Sequence, residues 1–205
     1  MVRFLPGVLL VVLAALVWAQ DKPAHSSSKP PSGSKSSLPD SGAISQGVYR
    51  NPAFDFSYKL PFGWVDRTAE MQDDSAEALE SRLLLAIFER PPQASGDTIN
   101  SAVVIAVEPL PAGMKTEADY FESLAQLTTA KGFQAANEAH ELSVGTTKLV
   151  RGDFIKPRGT LTMRQTSLVL VQRSYAISFT FIGGSEDEVN ELIERLSFAT
   201  RKTTR

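Results

Sequence analysis

The sequence predicts an α+β domain, a mixed α/β fold built on a mainly antiparallel sheet, and three observations carry that reading. Three strand-like stretches late in the chain follow one another across tight turns at Gly145, Gly159 and Arg173-Ser174. Sequential strands joined so closely must pair antiparallel. Two short apolar runs, Leu83–Phe88 and Ala102–Val107, are bounded by Pro, Gly or Asn and read as central strands. Helix start signals at Thr116 and Ser185 are interleaved with these strands, so helices pack against the sheet.

The domain occupies about 46–200 of the 205 residues. A chain of that length buries roughly two-thirds of its unfolded surface as one unit. Apolar residues make up 42% and charged residues 21%, which is globular and not disordered composition. Cysteine is absent, and this excludes disulfides, thiol catalysis, cysteine-based zinc sites and a lipid-bearing cysteine anchor.

Residues 1–19 read as a secretory signal. Arg3 is its only charge, Phe4 to Val17 is almost wholly apolar, and Val17-Trp18-Ala19 sets small residues three and one before a cut after Ala19. The apolar stretch spans about 22 Å as a helix, against about 30 Å of hydrocarbon. Export is therefore expected, to a periplasmic or extracellular address. A membrane tether through an uncleaved leader is the alternative, because Gln20-Asp21-Lys22 is polar enough to halt a helix. Residues 20–45 hold nine serines and four prolines and offer little apolar surface, the composition of a solvated linker. A short basic tail, 201–205, closes the chain.

Within the domain, Phe54, Phe56, Tyr58 and Leu60 alternate with polar or small residues, as in a half-buried strand. Asn51-Pro52 and Pro61-Phe62-Gly63 frame it as turns, and Trp64 begins a short extended piece. Asp74, with Glu77 three residues on, predicts a helix over about 75–81. After the two central strands, Thr116-Glu117-Ala118-Asp119 opens the clearest helix. Phe121, Leu124, Ala125 and Leu127-Thr128 form its apolar face, and Lys131-Gly132 closes it. Strands then follow at Thr147–Phe154, Leu161–Val171 and Tyr175–Ile182. In the last of these, Tyr175, Ile177, Phe179 and Phe181 face one way. Ser185 through Glu188 caps a final helix with Val189, Leu192, Ile193 and Leu196 on one side.

The opening Tyr49-x-Asn-Pro-x-x-x-Phe-Ser-Tyr-x-Leu-Pro-x-Gly-Trp64 resembles the start of PsbP-like domains. The middle helix with Asp119-Tyr120-Phe121, the late meander and the acidic-capped last helix extend that resemblance over about 48–198. It implies an α-β-α sandwich around the antiparallel sheet. It implies no activity, because members of the family serve as binding or assembly modules and share no catalytic residues to carry over.

Chemistry is sparse in the residues themselves. His140 is the only histidine of the domain, no Gly-x-Ser-x-Gly elbow is present, and a serine triad has no other base. Gly183-Gly184-Ser185 precedes a helix, but the acids at 186–188 would repel an anion there. The carboxylate groups at Asp73-Asp74 and Glu186-Asp187-Glu188 lack calcium-loop spacing and already suit helix starts. Phe54, Phe56, Phe62 and Trp64 read as core or as a cleft lining. No catalytic residue, cofactor or metal is expected.

Charge is unevenly spread. Acids dominate 66–80, whereas Lys148, Arg151, Lys156, Arg158 and Arg164 cluster over 148–164 against Asp153 alone. Net charge is −2, or −3 without the leader, and this excludes general nucleic-acid binding. Arg151, Lys156 and Arg158 are the expected contact face for a protein or other anionic partner, with a solvated strand face as the plain alternative. The functional expectation is an exported, non-enzymatic binding or assembly module. An enzyme with an unrecognised carboxylate or metal site, and a structural envelope protein, are the alternatives.

Overall fold

The computed structural model describes residues 39–74, 81–91 and 96–199. The leader with its Ala19 site, the tether up to residue 38, the segment 75–80 expected as helix and the basic tail lie outside the described residues.

The chain first builds a small antiparallel meander: β1 (Ala43–Ser45), β2 (Val48–Asn51) and β3 (Phe56–Lys59). Thus β1 lies inside the serine-rich stretch whose composition reads as linker. Next come β4 (Val65–Asp66) and a helix, α1 (Thr68–Asp74). This helix precedes the expected one, and Asp74 is a helical residue in it, not a cap. The start signal is Asp66, whose Oδ1 accepts from the Thr68 amide at 2.9 Å and the Thr68 hydroxyl at 2.6 Å. The Thr68 hydroxyl in turn accepts from the Ala86 amide at 2.9 Å, fastening the helix to the next strand.

That strand is β5 (Arg82–Phe88), followed by β6 (Ala102–Pro109) and α2 (Glu117–Ala130). At the start of α2 the Thr116 hydroxyl accepts from the Asp119 amide at 3.2 Å. Asp119 Oδ2 accepts back from the amides of Thr116 at 3.0 Å and Lys115 at 2.9 Å. Those backbone bonds hold the Asp119 carboxyl below its ordinary range. Two short strands, β7 (Gln134–Ala135) and β8 (His140–Val144), lead into β9 (Thr147–Arg158), β10 (Leu161–Gln172) and β11 (Tyr175–Gly183). The chain ends in α3 (Glu186–Ile193) and β12 (Leu196–Phe198).

In the large sheet the order is β4-β5-β6-β11-β10-β9-β7, with β8 also paired to β9, and every ladder is antiparallel. β12 pairs with β3 and completes a second sheet, β1-β2-β3-β12. Period-two alternation sorts the core into two clusters across the large sheet. On one side Val104, Phe154, Met163 and Val169 pack under α2 with Tyr120, Phe121 and Leu124. On the other, Ile105, Leu168, Ile177, Phe179 and Phe181 meet Phe56 and Tyr58 of the small sheet and Val189, Leu192 and Ile193 of α3.

The α-β-α sandwich that the resemblance implies is therefore modified. Helices α1 and α2 form one outer layer, but the other combines α3 with a four-stranded sheet. The physical reason is local: Tyr49, Phe56 and Tyr58 present an aromatic face that a sheet buries against Phe179 and Phe181. The Tyr58 hydroxyl donates to the Leu192 carbonyl at 3.1 Å, tying that sheet to α3.

Candidate functional site

The three basic residues expected to share a surface do not. On β9 residue parity decides the face, and Arg151 lies five positions from Lys156 and seven from Arg158. Arg151 therefore points to the α3 side, and Lys156 and Arg158 to the α2 side.

Arg151 is also held there by a carboxylate and an amide. Its Nε donates to both oxygens of Asp153 at 3.0 and 3.1 Å, and its Nη2 donates to Asn190 Oδ1 of α3 at 3.0 Å. Asp153 accepts further from the Thr166 hydroxyl of β10 and from Asn137 Nδ2 at 3.1 Å. The side chains of Arg151 and Asp153 are only 15% and 17% exposed. Burial pushes the Asp153 carboxyl up, but the hydrogen bonds from Arg151, Thr166 and Asn137, with the Arg151 charge, outweigh it and hold the group below its ordinary range.

This knot joins β9, β10, α3 and the β7–β8 connection, so its role is structural. Because the folded state depresses this pKa, the stabilisation is present above the unfolded carboxylate value, about 3.9, and is lost as pH falls through the lower folded value. Asp153→Asn is expected to destabilise the domain by about 2–4 kcal/mol at neutral pH, since it breaks a mostly buried, charge-assisted network. Urea unfolding across pH checks this, and the gap between wild type and variant should begin to narrow below about pH 4 and close only as pH falls through the lower folded value.

On the α2 side the arrangement is open. Lys156 Nζ donates to the Lys131 carbonyl at the C-terminal end of α2, at 2.7 Å, and lies 5.4 Å from the centre of the Phe133 ring. Lys131 and Arg158 are exposed. No ion pair joins Lys131, Lys156 or Arg158 to an acid among the described residues. Around them the β9–β10 turn is exposed from Pro157 to Thr160. Arg164 sits on the opposite face, 4.0 Å from Glu186, and Lys148 pairs with Glu141 at 3.0 Å. Of the basic stretch, Lys156 and Arg158 thus remain as a corner, joined by Lys131. Sequence reading missed Lys131 because only the fold brings it beside β9.

Also on the α2 side, toward the start of the helix, is a groove of about 460 Å³. Ala118, Phe121, Glu122 and Ala125 line it from α2, Ala139, His140 and Glu141 from β8 and its approach, and Val150 from β9. His140 is exposed, its direct pairing with Arg151 turns its ring toward the α3 side, and its Nδ1 is 3.2 Å from the Glu138 carbonyl. No hydrogen bond links it to a serine or a carboxylate among the described residues, so the elements of a triad are not assembled.

The remaining sequence candidates resolve as structure. The anion cradle at Gly183-Gly184-Ser185 is filled from within: Glu188 Oε2 accepts from the Gly184 amide at 2.8 Å, and its other oxygen accepts the Ser101 hydroxyl. Phe54 and Phe56 are core, Trp64 is partly buried against the same cluster, and Phe62 alone stands fully in solvent. The groove does not adjoin any of them. Among the described residues no set of three or more His, Asp or Glu side chains is placed to hold a metal ion. None of their helices is long and apolar enough to cross a membrane.

The fold defines an α+β domain with a large antiparallel sheet covered by helices on one side and by a helix and a small sheet on the other. No protein-family model matches the chain, and no curated protein matches it in sequence. Among solved structures it is similar to cyanobacterial PsbP from Synechocystis sp. PCC 6803, at 11% identity and a TM-score of 0.45, covering 82% of this chain and 98% of that one. It is similar to LpqN of Mycobacterium tuberculosis, which is involved in cell envelope biogenesis, at 13% identity and a TM-score of 0.42, covering 71% and 83%. A Bacteroides thetaiotaomicron protein matches at 13% identity and a TM-score of 0.43 over 76% of this chain, which spans about half, 49%, of that protein.

Proposed function

We propose that this domain is a non-enzymatic binding or assembly module that docks an acidic protein surface through the corner formed by Lys131, Lys156 and Arg158. One observation carries the reading. In a chain of net charge −2, Lys156 and Arg158 share one face of β9 beside an exposed turn, Lys131 adjoins Lys156 through its carbonyl, and no acid is ion-paired to any of the three among the described residues. Lys156 is held in place by the Lys131 carbonyl and the Phe133 ring, so little side-chain entropy is left to lose on docking. The lack of an assembled triad or metal cluster among the described residues is compatible with a role that needs no chemistry. The leader, with release after Ala19, would place the module outside the cytoplasm; retention of the leader would tether it at a membrane.

The test is retention of the full chain on immobilised poly-L-glutamate at low ionic strength. A protein of net negative charge is retained there only through a local basic patch. Retention is expected for the wild type, with elution at moderate salt, and should be lost in Lys156→Glu/Arg158→Glu. Arg151→Gln probes a buried, paired residue and should leave retention unchanged while lowering stability. Equal retention of wild type and the double variant would remove the corner from the account.

A further inference from the structure

We propose that the groove between α2 and β8 is a second binding site, and that it takes a small organic cation: a primary ammonium or guanidinium on an apolar stem. Its volume, about 460 Å³, falls in the range of small-ligand sites. Phe121 and Val150 supply apolar surface from the helix and the sheet, and Ala118, Ala125 and Ala139 leave room because their side chains stop at Cβ. These apolar side chains desolvate an alkyl or aromatic body and offer it no hydrogen bond.

The sign of the ligand's charge comes from the rim. Glu122 lines the groove from α2 and Glu141 from β8, so each wall carries one acidic residue within reach of the rim. Glu122 makes no ion pair or hydrogen bond to any described residue. Glu141 is shared with Lys148 at 3.0 Å, a pair in which both side chains are more than half exposed and which an incoming cation can displace at small cost. An anion would meet two carboxylates. A cation with an apolar stem satisfies the rim and the lining together. The groove is opposite in sign to the Lys131–Lys156–Arg158 corner and lies toward the other end of α2, so the two are separate sites.

The experiment titrates the full-length chain into dansylcadaverine, a primary ammonium on a five-carbon stem with an aromatic body, and follows its emission. N-acetyldansylcadaverine, which keeps the stem and ring but loses the charge, is titrated in parallel. Saturable one-to-one binding of the ammonium probe is expected, with the acetylated probe weaker by about two- to fivefold, the scale of one exposed charge pair. Glu122→Gln should weaken the ammonium probe alone. Ala118→Leu, which fills the groove without changing charge on a residue that already faces solvent, should weaken both probes. Lys156→Glu/Arg158→Glu should change neither, which separates this site from the corner. Absence of saturation, equal binding of the two probes, or indifference to both Glu122→Gln and Ala118→Leu would overturn the assignment.

Discussion

Phe179→Ala is expected to remove about 3–5 kcal/mol of stability, the cost of emptying a fully buried aromatic site. Phe179 lies on β11 between Leu168 of β10 and Ile105 of β6, and none of its surface reaches solvent. Its ring meets Phe56 edge-on at 5.1 Å and Phe198 at 6.2 Å, so it is the point where the large sheet grips both β3 and β12 of the small one. Domains of this kind are stable by about 5–15 kcal/mol in total, and the variant should be near the limit of folding at 37 °C. Equilibrium urea unfolding gives the readout: a large fall in the midpoint with an unchanged slope. Phe62→Ala is the control. That ring is fully exposed, and its loss should stay within about 0.5 kcal/mol. A small effect at Phe179 would mean that the two sheets do not share a core.

Gly152→Ala is the second large effect, and it arises from crowding. Gly152 is on β9 directly beneath α2, and a Cβ there would overlap the Phe121 ring, which itself stacks on Phe154 at 6.3 Å. Adding one methyl group should cost about 1–3 kcal/mol, because the ring must leave its rotamer or the helix must lift from the sheet. Phe121→Leu alone removes core volume and also destabilises. Combined with Gly152→Ala it should cost less than the two single changes added together. Strict additivity in that cycle would show that α2 does not sit on Gly152. Because Phe121 also lines the groove, Gly152→Ala should weaken dansylcadaverine binding alongside the loss in stability.

The long elements were legible because their signals are local. The alternation in Tyr175 to Phe181 put Ile177, Phe179 and Phe181 on one face, and the structure buries them together. Thr116 with Asp119, and Ser185 with Glu188, cap α2 and α3 as their spacing predicts. Of the short strands, β3 and β4 were legible from the Phe54–Leu60 alternation and the extended piece at Trp64, but β1, β2 and β12 were not. β12 has three residues, and its partner β3 is about 140 positions away, so nothing near Leu196 announces a strand; periodicity there reads as more helix. Likewise β1 is hidden in serine-rich composition, and β2 in the turn chemistry around Asn51-Pro52. Asp66 went unread as a helix start because the acids at 73–77 form a stronger local pattern.

The candidate site was legible in part. Lys156 and Arg158 follow from the charge run, and their common face from the even spacing between them. The same parity argument separates Arg151 from Lys156, and Asp153, two residues from Arg151 on the same face, is the signal that Arg151 is spent internally. Lys131 and the groove needed the fold. Each arises where α2 comes down on β9, a contact between segments about 25 residues apart whose register no local pattern encodes.

Docking of an acidic chain on the hairpin corner is read out residue by residue in the amide chemical shifts of the full-length, isotope-labelled chain during titration with poly-L-glutamate. Shifts concentrated at residues 131–133 and 156–161 are expected, fading as salt is raised and absent in Lys156→Glu/Arg158→Glu. Shifts scattered over the sheet faces, or unchanged by salt and by charge reversal, would contradict it.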